Sequence, residues 1–265
     1  MLSKRTLARA AVLLLCLGLL SPAGPTFATH ADVPGPIHAG NTYGWYPTAW
    51  RDEFVGPLKS VWRSAGKGSV HTKNGMLTLL AGRSGSVSAT LNKPGHATGR
   101  WEIRWKNQRY GTGHTPYTVR TELVPAGDRP QYCGARNIAL ESYTQGQRRA
   151  KFYIRNLPNV AFVASKGGTP FGGDHWHTFA VEVTRTHISW FVDAHVVSTE
   201  RRPEAISGVP LTVRFSLQAV PGQVMNPARM QMDWLRYWTL AKPNRKSITA
   251  PAPQQTTYPQ ACPPA

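Results

Sequence analysis

Residues 100–106 read RWEIRWK and residues 211–217 read LTVRFSL, so an apolar side chain occupies every second position of both stretches. Successive side chains of a strand point to opposite faces, and this period of two therefore predicts two half-buried strands. Similar runs at 177–183, 188–192 and 230–238 are separated by turns rich in Gly, Pro, Asn or Asp. No segment has a helical apolar face. The pattern predicts an all-β protein, either a sandwich, a jelly roll or a barrel.

The strand patterns are confined to residues 48–240 of the 265-residue chain. That length can bury one sandwich core and is short for two, so we expect a single domain. Residues 29–47 are rich in Gly, Pro, His and Thr and predict an extended arm. Residues 241–265 predict a Pro-rich C-terminal tail.

The N-terminal residues 1–28 have the pattern of a secretory signal peptide. Lys4, Arg5 and Arg9 precede an apolar run at 10–20, which is shorter than the roughly 20 residues that span a bilayer. We therefore expect cleavage before Thr29, a secreted, extracellular protein and no membrane span. An uncleaved anchor is the alternative reading of the same residues.

The chain is strongly basic, with a formal net charge of +18. Residues 1–28 hold three Lys or Arg and no Asp or Glu, so the remaining chain keeps +15. Such a charge attracts polyanions, which outside a cell include acidic glycans, cell-wall polymers and lipid headgroups. No nucleic-acid-binding motif is present, so we expect no nucleic-acid partner. Alternatively, the charge is spread evenly and serves solubility alone.

Two cysteines, Cys133 and Cys262, remain after residues 1–28. Disulfides persist outside the cytoplasm, and an even pair is what one bridge requires. The sequence therefore predicts a Cys133–Cys262 disulfide that pins the tail. Two separate thiols are the alternative.

The order of several segments resembles glycoside hydrolase family 16. These segments are WRDEFVGPL at 50–58 with Trp62, GMLTL at 75–79, the strand at 99–106, and the late runs at 176–184, 187–193 and 232–238. The resemblance covers residues 48–240. It implies a two-sheet antiparallel β-sandwich, a concanavalin A-like jelly roll, with a sugar-binding groove across one sheet.

The catalytic strand of that family carries three acidic residues, spaced E-x-D-x-E or, with a bulge, E-x-D-x-x-E. A retaining glycosidase needs two of these carboxyl groups about 5–5.5 Å apart, one as nucleophile and one as acid/base. The resemblance places the motif within residues 134–143. The unbulged spacing gives Asn137, Ala139 and Glu141, and the bulged spacing gives Arg136, Ile138 and Glu141. Only Glu141 is acidic, so the usual double displacement is not expected.

A second carboxylate, Glu122, precedes this segment on a strand that matches the family's cleft strand. Arg120 and Val124 share its face at a period of two. If the two strands pair, Glu122 and Glu141 are candidate catalytic residues for an inverting mechanism, which requires a separation of about 6.5–9.5 Å. The alternative is that Glu122 forms an ion pair with arginine.

Five further residues are predicted to contact a ligand beside the groove. Aromatic rings stack on sugar faces, and core packing is the alternative for each ring. The predicted ligand-binding residues are Asn137, Arg120, Tyr143, Tyr117 and His114.

The sequence contains no recognisable metal-binding or cofactor-binding motif. His175 and His177 have no partner carboxylate or cysteine at suitable spacing, so no metal site is predicted. No nucleophile elbow, P-loop or dinucleotide fingerprint is present, so no cofactor is predicted.

Three functions are compatible with this sequence. The first is a monomeric protein that binds polysaccharide, an acidic glycan or a cell-wall polymer being the candidates, with lost or weak hydrolysis. The second is an active glycoside hydrolase or transglycosylase that uses Glu122 and Glu141. The third is a structural or adhesive protein of the cell envelope.

Overall fold

The computed structural model describes residues 37–127 and 136–259, and these residues form two antiparallel sheets of eight strands each. The predicted all-β sandwich is confirmed. Residues 1–28, Cys133 and Cys262 lie outside the described residues, so the signal peptide and the disulfide stay predictions.

The first sheet contains the long strand that the sequence placed around residues 100–106. Its strands are β1 (Trp50–Asp52), β3 (Ser69–Lys73), β4 (Met76–Ala81), β6 (Gly99–Arg109), β11 (His177–Val183), β12 (Ile188–Val192), β13 (His195–Glu200) and β15 (Ala228–Trp238). The order is β13-β12-β11-β6-β15-β4-β3, and β1 also pairs with β15.

The second sheet contains both strands that carry the candidate carboxylates. Its strands are β2 (Trp62–Gly66), β5 (Val87–Leu91), β7 (Thr118–Pro125), β8 (Ile138–Thr144), β9 (Arg149–Asn156), β10 (Val160–Gly167), β14 (Leu211–Gln218) and β16 (Gln254–Thr257). The order is β16-β10-β9-β8-β7-β14-β5-β2, so β7 and β8 are neighbours at its centre.

Helical structure is limited to α1 (Ala39–Thr42) and a 3₁₀ turn (Pro203–Ala205) within the described residues. Neither of these short elements, nor any other helix in that part of the chain, is long and apolar enough to cross a membrane.

The hydrophobic core lies between the sheets and uses the apolar positions of the alternating stretches. Trp105 of β6 stacks on Phe179 of β11 with ring centroids 5.0 Å apart. Phe215 of β14 stacks on Trp62 at 5.4 Å. Each pair joins two strands of one sheet, and these large rings are almost fully buried in the core between the sheets.

The described part of the predicted arm does not extend into solvent, so that prediction needs correction. Trp45 is buried against Phe191 and Trp238 on the side of the first sheet that faces away from the second. The buried carboxylate of Glu102 accepts hydrogen bonds from the backbone N–H groups of Ala39 (2.5 Å) and Gly40 (3.0 Å). These contacts anchor α1 to the sheet because they satisfy two N–H groups that a helix start leaves unpaired.

The tail also docks on the sandwich, by contacts that its Pro-rich composition did not predict. Strand β16 pairs with the edge strand β10. The carbonyl of Pro251 accepts hydrogen bonds from Ser198 Oγ (2.7 Å) and Thr199 N (3.2 Å) of β13. The described tail is therefore held by backbone pairing at the edges of both sheets.

Candidate functional site

A β-bulge interrupts the pairing of β7 with β8. Glu122 is paired with Ala139, but the preceding residue Thr121 is paired with Glu141, so β8 contains one extra residue. Beyond the bulge Arg120 is paired with Ser142. Residues paired across two strands share a face of the sheet.

The bulge decides which residues of β8 face away from the core. Val119 and Leu123 belong to the core, so Arg120 and Glu122 lie on the opposite side of the second sheet. We call this side the outer face. Ala139 is the partner of Glu122 and shares the outer face with it.

The outer face thus carries Asn137, Ala139 and Ser142. Their spacing is that of the bulged family motif, E-x-D-x-x-E. Neither predicted register matches this set, because each of them ended at Glu141. In the structure Ser142 occupies the last position, and Glu141 belongs to the bulge itself. No carboxylate of β8 lies on the outer face.

Glu141 is completely buried and shares the core-facing side with Thr121. Its Oε2 accepts a hydrogen bond from the backbone N–H of Thr121 at 2.8 Å, whereas Oε1 has no partner among the described residues. Burial raises the pKa of the Glu141 carboxyl from 4.5 to about 8, and the hydrogen bonds from Thr121 oppose that rise only in part. Glu141 is therefore protonated at neutral pH and is not placed to touch a sugar, which corrects its assignment as a candidate.

Glu122 lies on the outer face, but its carboxylate is fully engaged. Oε2 accepts from Arg214 Nη2 at 2.9 Å, and Oε1 accepts from the Tyr153 hydroxyl at 2.6 Å and from Asn137 Nδ2 at 3.4 Å. Arg120 Nη1 lies 3.6 Å from Oε1. Burial alone would raise the pKa of Glu122, but the two arginines hold it below its ordinary value. The carboxylate is ionised and ion-paired, and is not free to act as a base.

The surroundings of Glu122 are cationic. Tyr153 lies between two guanidinium groups, Arg120 at 5.6 Å and Arg155 at 4.6 Å from its ring centroid. Exposed Lys151 of β9 is paired with Ser142 and adds a further charge to the same face. Sequence reasoning missed Arg214, although it occupies a polar position of the alternating stretch 211–217.

Tyr117 and Tyr143 do not lie on the outer face, and their assignment as sugar-stacking residues is corrected. Tyr117 is fully buried in the core, on the side of Val119. The Tyr143 ring is also buried, with its centroid 5.9 Å from that of Phe171. His114 is exposed in the loop between β6 and β7, so its contact with a ligand stays a prediction.

His177 has a structural role in this fold. Its Nδ1 lies 2.9 Å from Asp193 Oδ2, and its ring packs against Phe171. His175 is exposed nearby. In the part of the chain that the structure describes, no three His, Cys, Asp or Glu side chains are grouped as a metal site would require.

Solved structures with the same architecture include glycoside hydrolases. An endo-β-1,3-glucanase from Pyrococcus furiosus matches with a TM-score of 0.61 and 15% identity, over 72% of this chain and 94% of that chain. A non-specific endo-β-1,3(4)-glucanase from family GH16 matches with a TM-score of 0.61 and 13% identity, over 77% and 94%. The fold is that of the glycoside hydrolase family 16 jelly roll. The laminarinase from Rhodothermus marinus agrees, with a TM-score of 0.58 and 16% identity, over 72% and 96%.

The sequence of this protein has diverged far from those of the similar structures, which are 13–16% identical to it. No protein-family model matches it, and no curated protein sequence matches it. The likeness therefore concerns the fold, and the chemistry must be argued from the residues of the outer face.

Proposed function

We propose that this protein binds an anionic polysaccharide across the outer face of the second sheet and does not cleave it by double displacement. The observation that carries the proposal is the set Asn137, Ala139 and Ser142, which fills the motif spacing without a carboxylate. An amide, a methyl group and a hydroxyl cannot supply the ionised nucleophile and the protonated acid that a retaining glycosidase needs.

The charge of the outer face favours an acidic ligand. Arg120 and Arg214 neutralise Glu122, but Arg155 and Lys151 have no carboxylate partner among the described residues. Carboxylate or sulfate groups of a glycan would form charge-assisted hydrogen bonds with these two cations. The Tyr153 ring is held in place by the two guanidinium groups that flank it. The glucanases named above are described as acting on β-1,3- or β-1,3(4)-glucans, so we take a preference for acidic over neutral chains as a difference between them and this protein.

The site of action that we propose is outside the cell. The support is the basic and then apolar pattern of residues 1–28. The accessible polyanions there are acidic glycans and wall polymers.

A second candidate function is hydrolysis by Glu122 and Glu141. The pKa values of the two groups are shifted in opposite directions, Glu122 downward and Glu141 upward, as a general base and a general acid require. Against this function, both side chains are almost completely buried and point to opposite sides of the sheet.

Two measurements test these functions together. Alginate, an acidic polyuronate, and laminarin, a neutral β-1,3-glucan, are offered to the purified protein, and released reducing ends and binding are both recorded. We expect no reducing ends from either polymer, and retention by alginate at least about ten-fold stronger than by laminarin. If the wild type releases reducing ends and both Glu122→Gln and Glu141→Gln do not, the protein is a hydrolase and the binding proposal is wrong.

Substitutions on the outer face locate the binding surface. Lys151→Gln combined with Arg155→Gln should weaken alginate binding by about ten-fold or more, because charge-assisted hydrogen bonds contribute roughly 1.5–3 kcal/mol each. Arg185→Gln combined with Lys73→Gln is the matched control, since it also removes two charges and both residues are exposed on the first sheet, Arg185 in the turn between β11 and β12 and Lys73 at the end of β3. Equal losses in the control and the double variant would mean that net charge alone, and not this face, governs binding.

A further inference from the structure

A cavity of about 480 Å³ lies at one end of the sandwich, away from the outer face. The end of β6 in the first sheet, the β8–β9 turn in the second sheet and the β10–β11 connection form its walls, and it is partly open to solvent. Asn107, Arg109, Gln145, Gly146 and Arg148 are among the residues that line it. Its volume is within the range of small-molecule sites.

Hydrogen bonds fix the orientation of two buried amides in the wall. Asn107 Nδ2 donates to the carbonyl of Phe171 at 2.7 Å, so its Oδ1 is the atom that accepts from Gln145 Nε2 at 3.0 Å. Gln145 is 2% exposed, and its Oε1 has no donor among the described residues. A buried acceptor without a donor is costly, and a ligand that donates a hydroxyl group would satisfy it.

Two arginines give the cavity its charge. The Arg109 guanidinium lies against Gly146, where a Cβ atom would come within 2.7 Å of Nη1. Glycine at this position adopts a φ of +89°, which the turn requires and which other residues rarely adopt. Arg148 is exposed at the cavity. No Asp or Glu is among the residues of the cavity, so the positive charge is not neutralised there.

We propose that this cavity is a second binding site, and that it takes a single acidic sugar unit such as a uronate. The ligand carboxylate would lie on Arg109 and Arg148, and a ring hydroxyl would donate to Gln145 Oε1. A neutral sugar lacks the group for the arginines, and a free phosphate lacks the set of hydroxyl donors. This site goes beyond the proposed function, because it uses none of the residues of the outer face.

Titration calorimetry or NMR titration of the full protein with glucuronate, glucose and inorganic phosphate tests the proposal. We expect glucuronate to bind about ten-fold or more tightly than glucose and phosphate, since it alone has both kinds of group. Absence of glucuronate binding at millimolar concentration, or phosphate binding of equal strength, would overturn the proposal.

Three variants place the ligand. Arg109→Gln should weaken glucuronate binding by about ten-fold, and Arg148→Gln should weaken it by a smaller factor because its side chain is exposed. Arg149→Gln is the matched control, since Arg149 Nη1 donates to Ser165 Oγ at 2.9 Å on β10 and does not border the cavity. Unchanged binding in both Arg109→Gln and Arg148→Gln would overturn the site. Lys151 and Arg155 do not line the cavity. The alginate experiments with their variants therefore test the outer face alone, and the glucuronate titration tests the cavity alone.

Discussion

The backbone N–H of Thr121 donates a 2.8 Å hydrogen bond to Glu141 Oε2, and this contact holds the acidic residue of β8 in the interior of the sandwich. The bulge makes the contact possible, because it pairs these two residues instead of Thr121 with Leu140. A single extra residue thereby removes a carboxylate from the outer face.

The burial of Glu141 makes stability depend on pH. Its pKa is about 8 in the folded protein and is taken as 4.5 when exposed, so the folded state binds this proton more tightly. The contribution of the protonated carboxyl is fully present below pH 4.5 and is lost as the pH rises toward 8. In that window the free energy of unfolding should fall by up to roughly 1.4 kcal/mol per pH unit from this group. Urea unfolding at pH 5, 6.5 and 8 measures the decline.

Glu141→Gln is the comparison for that decline, because glutamine has a similar shape and does not ionise. The difference in unfolding free energy between variant and wild type should shift in favour of the variant as the pH rises. Parallel pH profiles for the two proteins would show that Glu141 keeps an ordinary pKa. The test depends on how the difference in unfolding free energy changes with pH. A constant destabilisation by the added amide donor does not alter that change.

Glu141→Gln should leave alginate binding unchanged, within about two-fold, because a fully buried side chain on the core side makes no ligand contact. Affinity electrophoresis of wild type and variant at pH 6 measures this. A loss of about ten-fold in the variant, with its fold intact by circular dichroism, would place Glu141 at the ligand after all.

Alginate binding should weaken with salt, because exposed Lys151 and partly exposed Arg155 act through charges that ionic strength screens. Dissociation constants between about 0.05 and 0.5 M NaCl, where the screening length falls from above 10 Å to a few Å, should rise by about ten-fold or more. Retention that is independent of salt would indicate that stacking on rings and neutral hydrogen bonds dominate.

The ion pairs of Glu122 should contribute to stability. Glu122→Gln removes the charge that balances Arg120 and Arg214, and should lower the free energy of unfolding by up to roughly 3 kcal/mol, since both arginines are partly exposed. Tyr153→Phe, which removes only one donor to the same carboxylate, should cost about 1–2 kcal/mol. Chemical unfolding of the three proteins checks the order, and an equal loss in both variants would contradict it.

The described tail should stay docked without a disulfide. Strand β16 pairs with β10 through the backbone, so those amide hydrogens of 254–257 that point toward β10 should exchange slowly in both oxidised and reduced protein. Hydrogen-exchange mass spectrometry with and without reductant tests this expectation. Protection that disappears on reduction would show that the predicted Cys133–Cys262 bridge, and not strand pairing, holds the tail.

The fold was accessible from sequence because period-two stretches such as 211–217 report burial directly, and their face assignments are confirmed in β14 and β6. Tyr117 and Arg120 are three positions apart and therefore point to opposite faces of a strand, so the burial of Tyr117 was predictable. The position of the bulge was not, because residues 138–141 read IALE without a local signal of it, and the irregularity arises from their pairing with β7 and β9. The bulge shifts the outward-facing positions of β8 by one residue, and this shift decided which residues form the candidate site.

The anchoring of α1 has a practical consequence for presenting the protein on a solid support. The carbonyl of Ile37 accepts a hydrogen bond from Thr178 Oγ1 at 3.1 Å, which fixes the start of the described chain on the side of the first sheet that faces away from the second. A tether attached just ahead of this residue would therefore leave the opposite side of the sandwich turned toward the liquid. Biosensor chips or beads loaded in this way would present Arg155 and Lys151 to a flowing polymer in one uniform orientation.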